Sequence, residues 1–122
     1  MPDILIIDDE ELIRESLSTL FVREGYRVEV AVDGADGLRK FAANPARVVV
    51  TDIVMPDKEG IETIRELRRA YPDVRILAIS GGGRTGGVQF LDLARKLGAD
   101  AALAKPFTRA QITGLVRDFL QA

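Results

Sequence analysis

A chain of 122 residues with 47% hydrophobic and 30% charged residues has the composition of an ordinary folded protein, and it is long enough to bury a core without crosslinks. It contains neither cysteine nor histidine, which excludes disulfides, thiol nucleophiles, serine–histidine triads, the common zinc sites and any role as a phosphohistidine carrier. The net charge of -2, from 17 basic and 19 acidic residues, argues against direct nucleic-acid binding by bulk charge. No apolar run has the length of a membrane span and no basic segment leads into an apolar stretch at the N-terminus, so a cytoplasmic location with no membrane partner is expected.

Taken in chain order, Ile4-Leu5-Ile6-Ile7 is a short apolar run of the kind buried on both faces of a sheet, and it stops at Asp8-Asp9-Glu10-Glu11. Leu12, Ile13, Leu17, Leu20 and Phe21 then recur at helical spacing, with Gly25 as a C-terminal stop. Val28, Val30 and Val32 alternate as a more exposed strand, and Asp33-Gly34 reads as a turn. A second helix carries Leu38, Phe41 and Ala42 and closes at Asn44-Pro45. Val48 to Thr51 is a buried strand ending in Asp52, and Met55-Pro56 and Gly60 mark the loop after it. Ile61, Ile64, Leu67 and Tyr71 form a third helical stripe before Pro72, and Val74 to Ile79 form a fourth strand that runs into Ser80.

The glycine-rich stretch Gly81–Gly87 follows, then a helix with Phe90, Leu91, Ala94 and Leu97 that ends at Gly98. Ala101 to Ala104 is a short fifth strand leading to Lys105-Pro106. Thr108 and Gln111 have the spacing of a capping box at the head of a last helix carrying Ile112, Leu115, Val116, Phe119 and Leu120. Five strands alternating with five helices predict an α/β protein with a parallel sheet covered on both faces. No break in composition divides the chain, so residues 1–122 are expected to form one domain.

Four of the strands end in a polar side chain: Asp8 and Asp9 after the first, Asp52 after the third, Ser80 after the fourth and Lys105 after the fifth. In a parallel sheet these ends share one edge, where α/β folds carry their sites. Each residue has an ordinary reading: acids 8–11 cap a helix, Asp52 sits in a turn. Lysine at the end of an apolar strand is less ordinary, since lysine is rarely buried. Three carboxylates in one place favour a divalent cation, and Mg²⁺ typically takes one or two carboxylates, waters and a phosphate. A carboxylate is also a nucleophile able to form an aspartyl phosphate. Lys105, the Ser80 hydroxyl and main-chain N–H groups near Gly81 would hold the phosphoryl oxygens, and phosphoryl transfer needs mainly such positioning and charge stabilisation.

Asp8-Asp9, Asp52 with Met55-Pro56 and Gly60, Ser80-Gly81 and Lys105-Pro106-Phe107, in this order and spacing, make the chain resemble a response-regulator receiver domain over essentially its whole length. The resemblance implies a (βα)5 flavodoxin-like, doubly wound fold with strand order 2-1-3-4-5 and a cis Lys105-Pro106 bond. It implies Asp52 as phosphoacceptor, with Mg²⁺ held by Asp9, Asp52 and the Val54 carbonyl, and by Asp8 through water. Lys105 and Ser80 would contact the phosphoryl group. The implied donor is a sensor histidine kinase or a histidine phosphotransfer protein, and a downstream protein target would use the surface of the fourth helix, fifth strand and fifth helix. Such a protein is a signalling switch rather than an enzyme acting on outside substrates.

Two positions depart from the pattern of the family. Ala102 stands where receivers commonly carry an aromatic residue three before the lysine, so a ring flip is not available and Gly81–Gly87 is expected to carry the switch instead. Glu59 stands before Gly60, where Asp is usual, with little consequence expected. Alternatives are a degenerate receiver-like interaction module that is never phosphorylated, and an aspartyl phosphatase. The latter would need an acid two residues after Asp52, where Val54 stands. A flavin module on the same fold would need a phosphate-cradling loop at residues 8–11, which are acidic.

Overall fold

In the computed structural model, which describes residues 1–53, 59–80 and 87–121, strands and helices alternate in the predicted order. They are β1 (Ile4–Ile7), α1 (Glu11–Arg23), β2 (Val28–Ala31), α2 (Gly34–Ala43), β3 (Val48–Asp52), α3 (Glu59–Ala70), β4 (Arg75–Ser80), α4 (Gly87–Leu97), β5 (Ala101–Ala104) and α5 (Arg109–Gln121). The five strands form one parallel sheet in the order β2-β1-β3-β4-β5. Strand side chains point alternately to opposite faces, so the unbroken apolar run of β1 feeds two cores. Leu5 and Ile7 pack with Phe41 of α2, Ile64 and Leu67 of α3 and Ala94 of α4. Ile4 and Ile6 pack on the other face with Leu17 and Phe21 of α1 and Ile112 and Val116 of α5.

Local signals explain where the helices begin and end. Gly25 and Gly98 take positive φ, 92° and 126°, immediately after α1 and α4, a region that disfavours side chains. Thr108 and Gln111 form the reciprocal capping box: the Thr108 N–H donates to Gln111 Oε1 at 2.8 Å, and the Gln111 N–H donates to Thr108 Oγ1 at 3.1 Å. The Lys105-Pro106 bond is cis, as the resemblance implied. Asp33-Gly34 is a helix start rather than a free turn, with the Asp33 carboxylate accepting the Asp36 N–H at 2.7 Å. The stripe of α3 ends one residue early, and Tyr71 lies just past the helix with its ring 4.5 Å from that of Phe41. Leu12 is 75% exposed, so it does not join the core that its spacing suggested, and Val32, read as part of the more exposed strand, lies just beyond the end of β2 and is 49% exposed. Ala42 is exposed as well.

The outer edge of β2 is closed by α2. The Arg27 and Ala31 carbonyls accept from β1, so the Val30 carbonyl and the Val32 N–H face outward. Lys40 Nζ donates to the Val30 carbonyl at 2.6 Å, and the Val32 N–H donates to Asp36 Oδ2 at 3.0 Å. That main-chain bond, ahead of the nearby Lys40 and Arg39 charges, holds the Asp36 carboxyl below the usual range.

The edge of the sheet opposite the strand C-termini is tied by Arg68 near the end of α3. Its Nε donates to the Gly98 carbonyl at 3.0 Å, Nη1 to the carbonyls of Pro72 and Val74 at 2.7 and 2.8 Å, and Nη2 to Asp100 Oδ2 at 2.6 Å. The same Asp100 oxygen accepts the Ile76 N–H at 2.8 Å. One planar fork thus joins the segments that enter β4 and β5, a geometry an ammonium cannot copy. Arg68→Ala is expected to lower the unfolding free energy by about 2 kcal/mol, and Arg68→Lys to recover less than half of the loss, as measured by urea denaturation.

Candidate functional site

The β1–β3 ladder sets Ile7 opposite Thr51, so the next residues, Asp8 and Asp52, emerge side by side. The ladder between β4 and β5 sets Ser80 opposite Ala104 and brings Lys105 to the same edge. Asp8 and Asp52 are 1% and 3% exposed, while Asp9 and Glu10 lie open to solvent beside them. Carboxylate oxygens of these four residues all lie within 4.8 Å of one another. Lys105 Nζ stands 4.0 Å from Asp8 Oδ2 and 4.0 Å from Asp52 Oδ2, beyond hydrogen-bond range of either. The lysine therefore acts on both carboxylates as a charge, without being committed to one.

Asp8 is the most constrained member. Its Oδ1 accepts the Glu10 N–H at 2.8 Å, and its carbonyl accepts from Arg14 Nη1 at 2.8 Å. Its Oδ2 is buried and accepts no hydrogen bond among the described residues. Burial, with smaller like-charge contributions from Asp52 and Asp9, lifts its carboxyl from 3.8 to about 6 against the opposing pull of the Glu10 N–H and Lys105. A buried oxygen without a donor, within a set of oxygen donors that outnumber the nearby lysine, suits a hard divalent cation such as Mg²⁺. The acids at 8–11 do not act as a simple helix cap. Glu10 occupies the cap position of α1 and makes no side-chain cap bond.

Asp8, Asp9, Asp52 and Lys105 are thus brought together as the sequence suggested. The Ser80 backbone ends β4 at this edge, while its side chain, Val54 and Met55-Pro56 lie outside the described structure. Residues 81–86 lie outside it too, so the switching role expected of the glycine stretch falls on them, save for Gly87 at the start of α4. Ala102 is buried in the core beneath α4. Two supports escaped sequence reasoning. Glu10 stands as close to the cluster as the predicted ligands. Gly60, read only as a loop marker and motif residue, is a packing requirement: a Cβ there would lie 2.6 Å from the Asp52 carbonyl oxygen and 2.7 Å from Ile53 Cα. Without a side chain the start of α3 abuts the strand that ends in Asp52.

A parallel (βα)5 sheet with carboxylates from β1 and β3 and a lysine beyond β5 at one edge has the form of a receiver. The family model for the response regulator receiver domain matches residues 4–117. Response regulator RR06 of Streptococcus pneumoniae serotype 2 (strain D39 / NCTC 7466) is 37% identical over 107 residues, which cover 87% of this chain and 47% of that protein. Response regulator MprA of Mycobacterium sp. (strain KMS) is 36% identical over 119 residues, 97% of this chain and 50% of that protein. The chain therefore spans about half the length of these curated relatives. The crystal structure of a response regulator receiver domain protein from Clostridium thermocellum superposes with a TM-score of 0.87 at 30% identity, covering 99% of this chain and 95% of that one. A CheY-like receiver domain protein from Methanospirillum hungatei JF-1 gives 0.87 at 27% identity, covering 97% and 92%. The chain belongs to the response-regulator receiver-domain family, the signalling domains of two-component systems.

Because the fold holds a proton on Asp8 that the unfolded chain releases between pH 3.8 and about 6, this group's contribution to stability falls as pH rises through that window. Asp8→Asn is expected to match the wild type below pH 4 and to exceed it above pH 6 by at most about 3 kcal/mol, the equivalent of a two-unit shift. Added Mg²⁺ should narrow that gap by stabilising the wild type more than the variant, as followed by thermal melts across pH.

Proposed function

We propose that the chain is one receiver domain spanning residues 1–122, in which Asp52 accepts a phosphoryl group from a phosphohistidine partner. The observation that carries this reading is a lysine ammonium 4.0 Å from each of two buried carboxylates, neither of which it pairs with at hydrogen-bond distance. A charge so held is placed to meet an incoming anion. An Asp52 carboxylate oxygen forms a bond to phosphorus as the donor's phosphorus–nitrogen bond breaks, and the freed imidazole nitrogen leaves with the partner. Lys105 stabilises charge on the transferred group, which is the main demand of this chemistry. Asp9, Asp52 and the Val54 carbonyl would hold Mg²⁺, with Asp8 acting through water. The ion would supply charge neutralisation and orientation of the phosphoryl oxygens. Ser80 is assigned a hydrogen bond to one of those oxygens by resemblance to the family.

In this reading the protein is a switch rather than a turnover enzyme. It works in the cytoplasm without binding nucleic acid or membrane itself. Its donor is a sensor histidine kinase or a histidine phosphotransfer protein, and its phosphorylated state is read by a protein at the α4–β5–α5 surface.

Incubation with acetyl phosphate is expected to add one phosphoryl group to the intact mass only when Mg²⁺ is present, and to add none to Asp52→Ala. Lys105→Ala should slow the reaction by about a hundredfold. If neither acetyl phosphate nor a phosphorylated kinase modifies the wild type, the reading gives way to that of a receiver-like interaction module.

A further inference from the structure

Arg14 has no part in the reaction described above, yet it is the cation that α1 sends back toward the acidic edge. It lies partly buried one turn into the helix, and its Nη1 donates to the main-chain carbonyl of Asp8 at 2.8 Å. That carbonyl belongs to the Asp8–Asp9 peptide, beyond the last ladder position of β1 at Ile7. The same turn is gripped at two further points: the Asp8 N–H donates to the Ala31 carbonyl at 3.2 Å, and Asp8 Oδ1 accepts the Glu10 N–H at 2.8 Å. The contact of the guanidinium with Asp8 is therefore at the main-chain oxygen.

We infer that Arg14 is a positioning residue for the cation site: it fixes the Asp8–Asp9 peptide, so that the carboxylates on either side of that bond are aimed before an ion arrives. The orientation of this peptide sets where the Asp9 side chain leaves the backbone. Asp9 is exposed, so the direction of its side chain depends on the main chain that carries it. A fork-shaped donor anchored on a helix is a rigid means of holding one carbonyl. The inference rests on the Mg²⁺ reading of the site, but it makes a prediction opposite in sign to that of simple electrostatics. A cation near a divalent-metal site repels the metal, so deleting Arg14 for its charge alone would tighten Mg²⁺ binding. Deleting it as a positioner weakens binding, because the ligand pair loses its preset geometry.

The test titrates Mg²⁺ alone into the full chain by calorimetry, comparing wild type, Arg14→Met and Arg14→Lys. Arg14→Met is expected to bind Mg²⁺ about tenfold more weakly. Arg14→Lys, which keeps the charge and a single flexible donor, should fall between the two. The acetyl phosphate reaction of Arg14→Met should return to the wild-type rate at saturating Mg²⁺, which separates ligand positioning from damage to Asp52 or Lys105. In the metal-free variant the Glu10 amide should exchange faster, while amides of Ile6 and Val50 in the paired strands keep their protection. Equal or tighter Mg²⁺ binding by Arg14→Met, or unchanged Glu10 exchange, overturns the inference. If the wild type takes up no Mg²⁺, it is the functional reading that fails, and the Glu10 exchange still decides whether Arg14 holds the turn. Should Arg14→Met not fold, Arg14→Lys carries both comparisons.

Discussion

Parallel pairing of β1 with β3 at the centre of the sheet forces two acidic residues into adjacent buried positions. Ile7 faces Thr51 in the ladder, and the chain has no freedom to separate the Asp8 and Asp52 that follow. Loss of water raises the Asp8 carboxyl first, and the nearby Asp52 charge adds to it, since buried carboxylates this close oppose one another's ionisation. Much of the surrounding structure maintains this arrangement. Gly60 lets α3 press against the Asp52 carbonyl, the Glu10 N–H pins one Asp8 oxygen, and Lys105 arrives from two strands away to stand between the pair. Such a site is poised for positive charge, and Asp8 Oδ2, buried and without a hydrogen-bond donor among the described residues, lies 4.0 Å from the lysine.

Legibility of the fold in the sequence follows the range of the interactions involved. The four-residue apolar run of β1, the stops at Gly25 and Gly98 and the Thr108–Gln111 box depend on neighbours a few residues away, and all were readable. Convergence of Asp8, Asp9, Asp52 and Lys105 was readable because parallel topology leaves no other place for strand ends. Leu12 was misread because an apolar residue at the margin of a helix face carries no mark of its exposure, and Val32 was placed in the strand because alternation does not mark where pairing stops. Asp33-Gly34 was misread because the same dipeptide suits a turn and a helix cap. Arg68 and Gly60 were opaque for another reason. Each acts on backbone brought near by folding, and a carbonyl that lacks a partner leaves no trace in the residue types around it.

Beneath α4 the sheet is floored by small side chains. Ala78 and Ala102 sit opposite each other on β4 and β5 and share a core with Ala94 of α4 and Ala99 just beyond it. A family member with an aromatic ring at position 102 would present a large movable group at this point. Here the same position presents a methyl, which has no rotamers to exchange. Among the described residues, this part of the β5 surface offers no large side chain that could relay a change from Asp52 toward α4.

The lock on β2 bears on how this molecule behaves in a crowded solution. A strand at the border of a sheet offers a template to any passing extended chain, and short parallel sheets are vulnerable at their borders. On β2 the outward Val30 carbonyl is already taken by the Lys40 ammonium, from the last turn of the following helix, and the outward Val32 N–H by the Asp36 carboxylate, from its first turn. A foreign strand would have to displace a charged side chain at each of these points and strip its water without a compensating partner. The helix that covers the β2 flank thus also obstructs growth of the sheet by accretion at the C-terminal end of that strand.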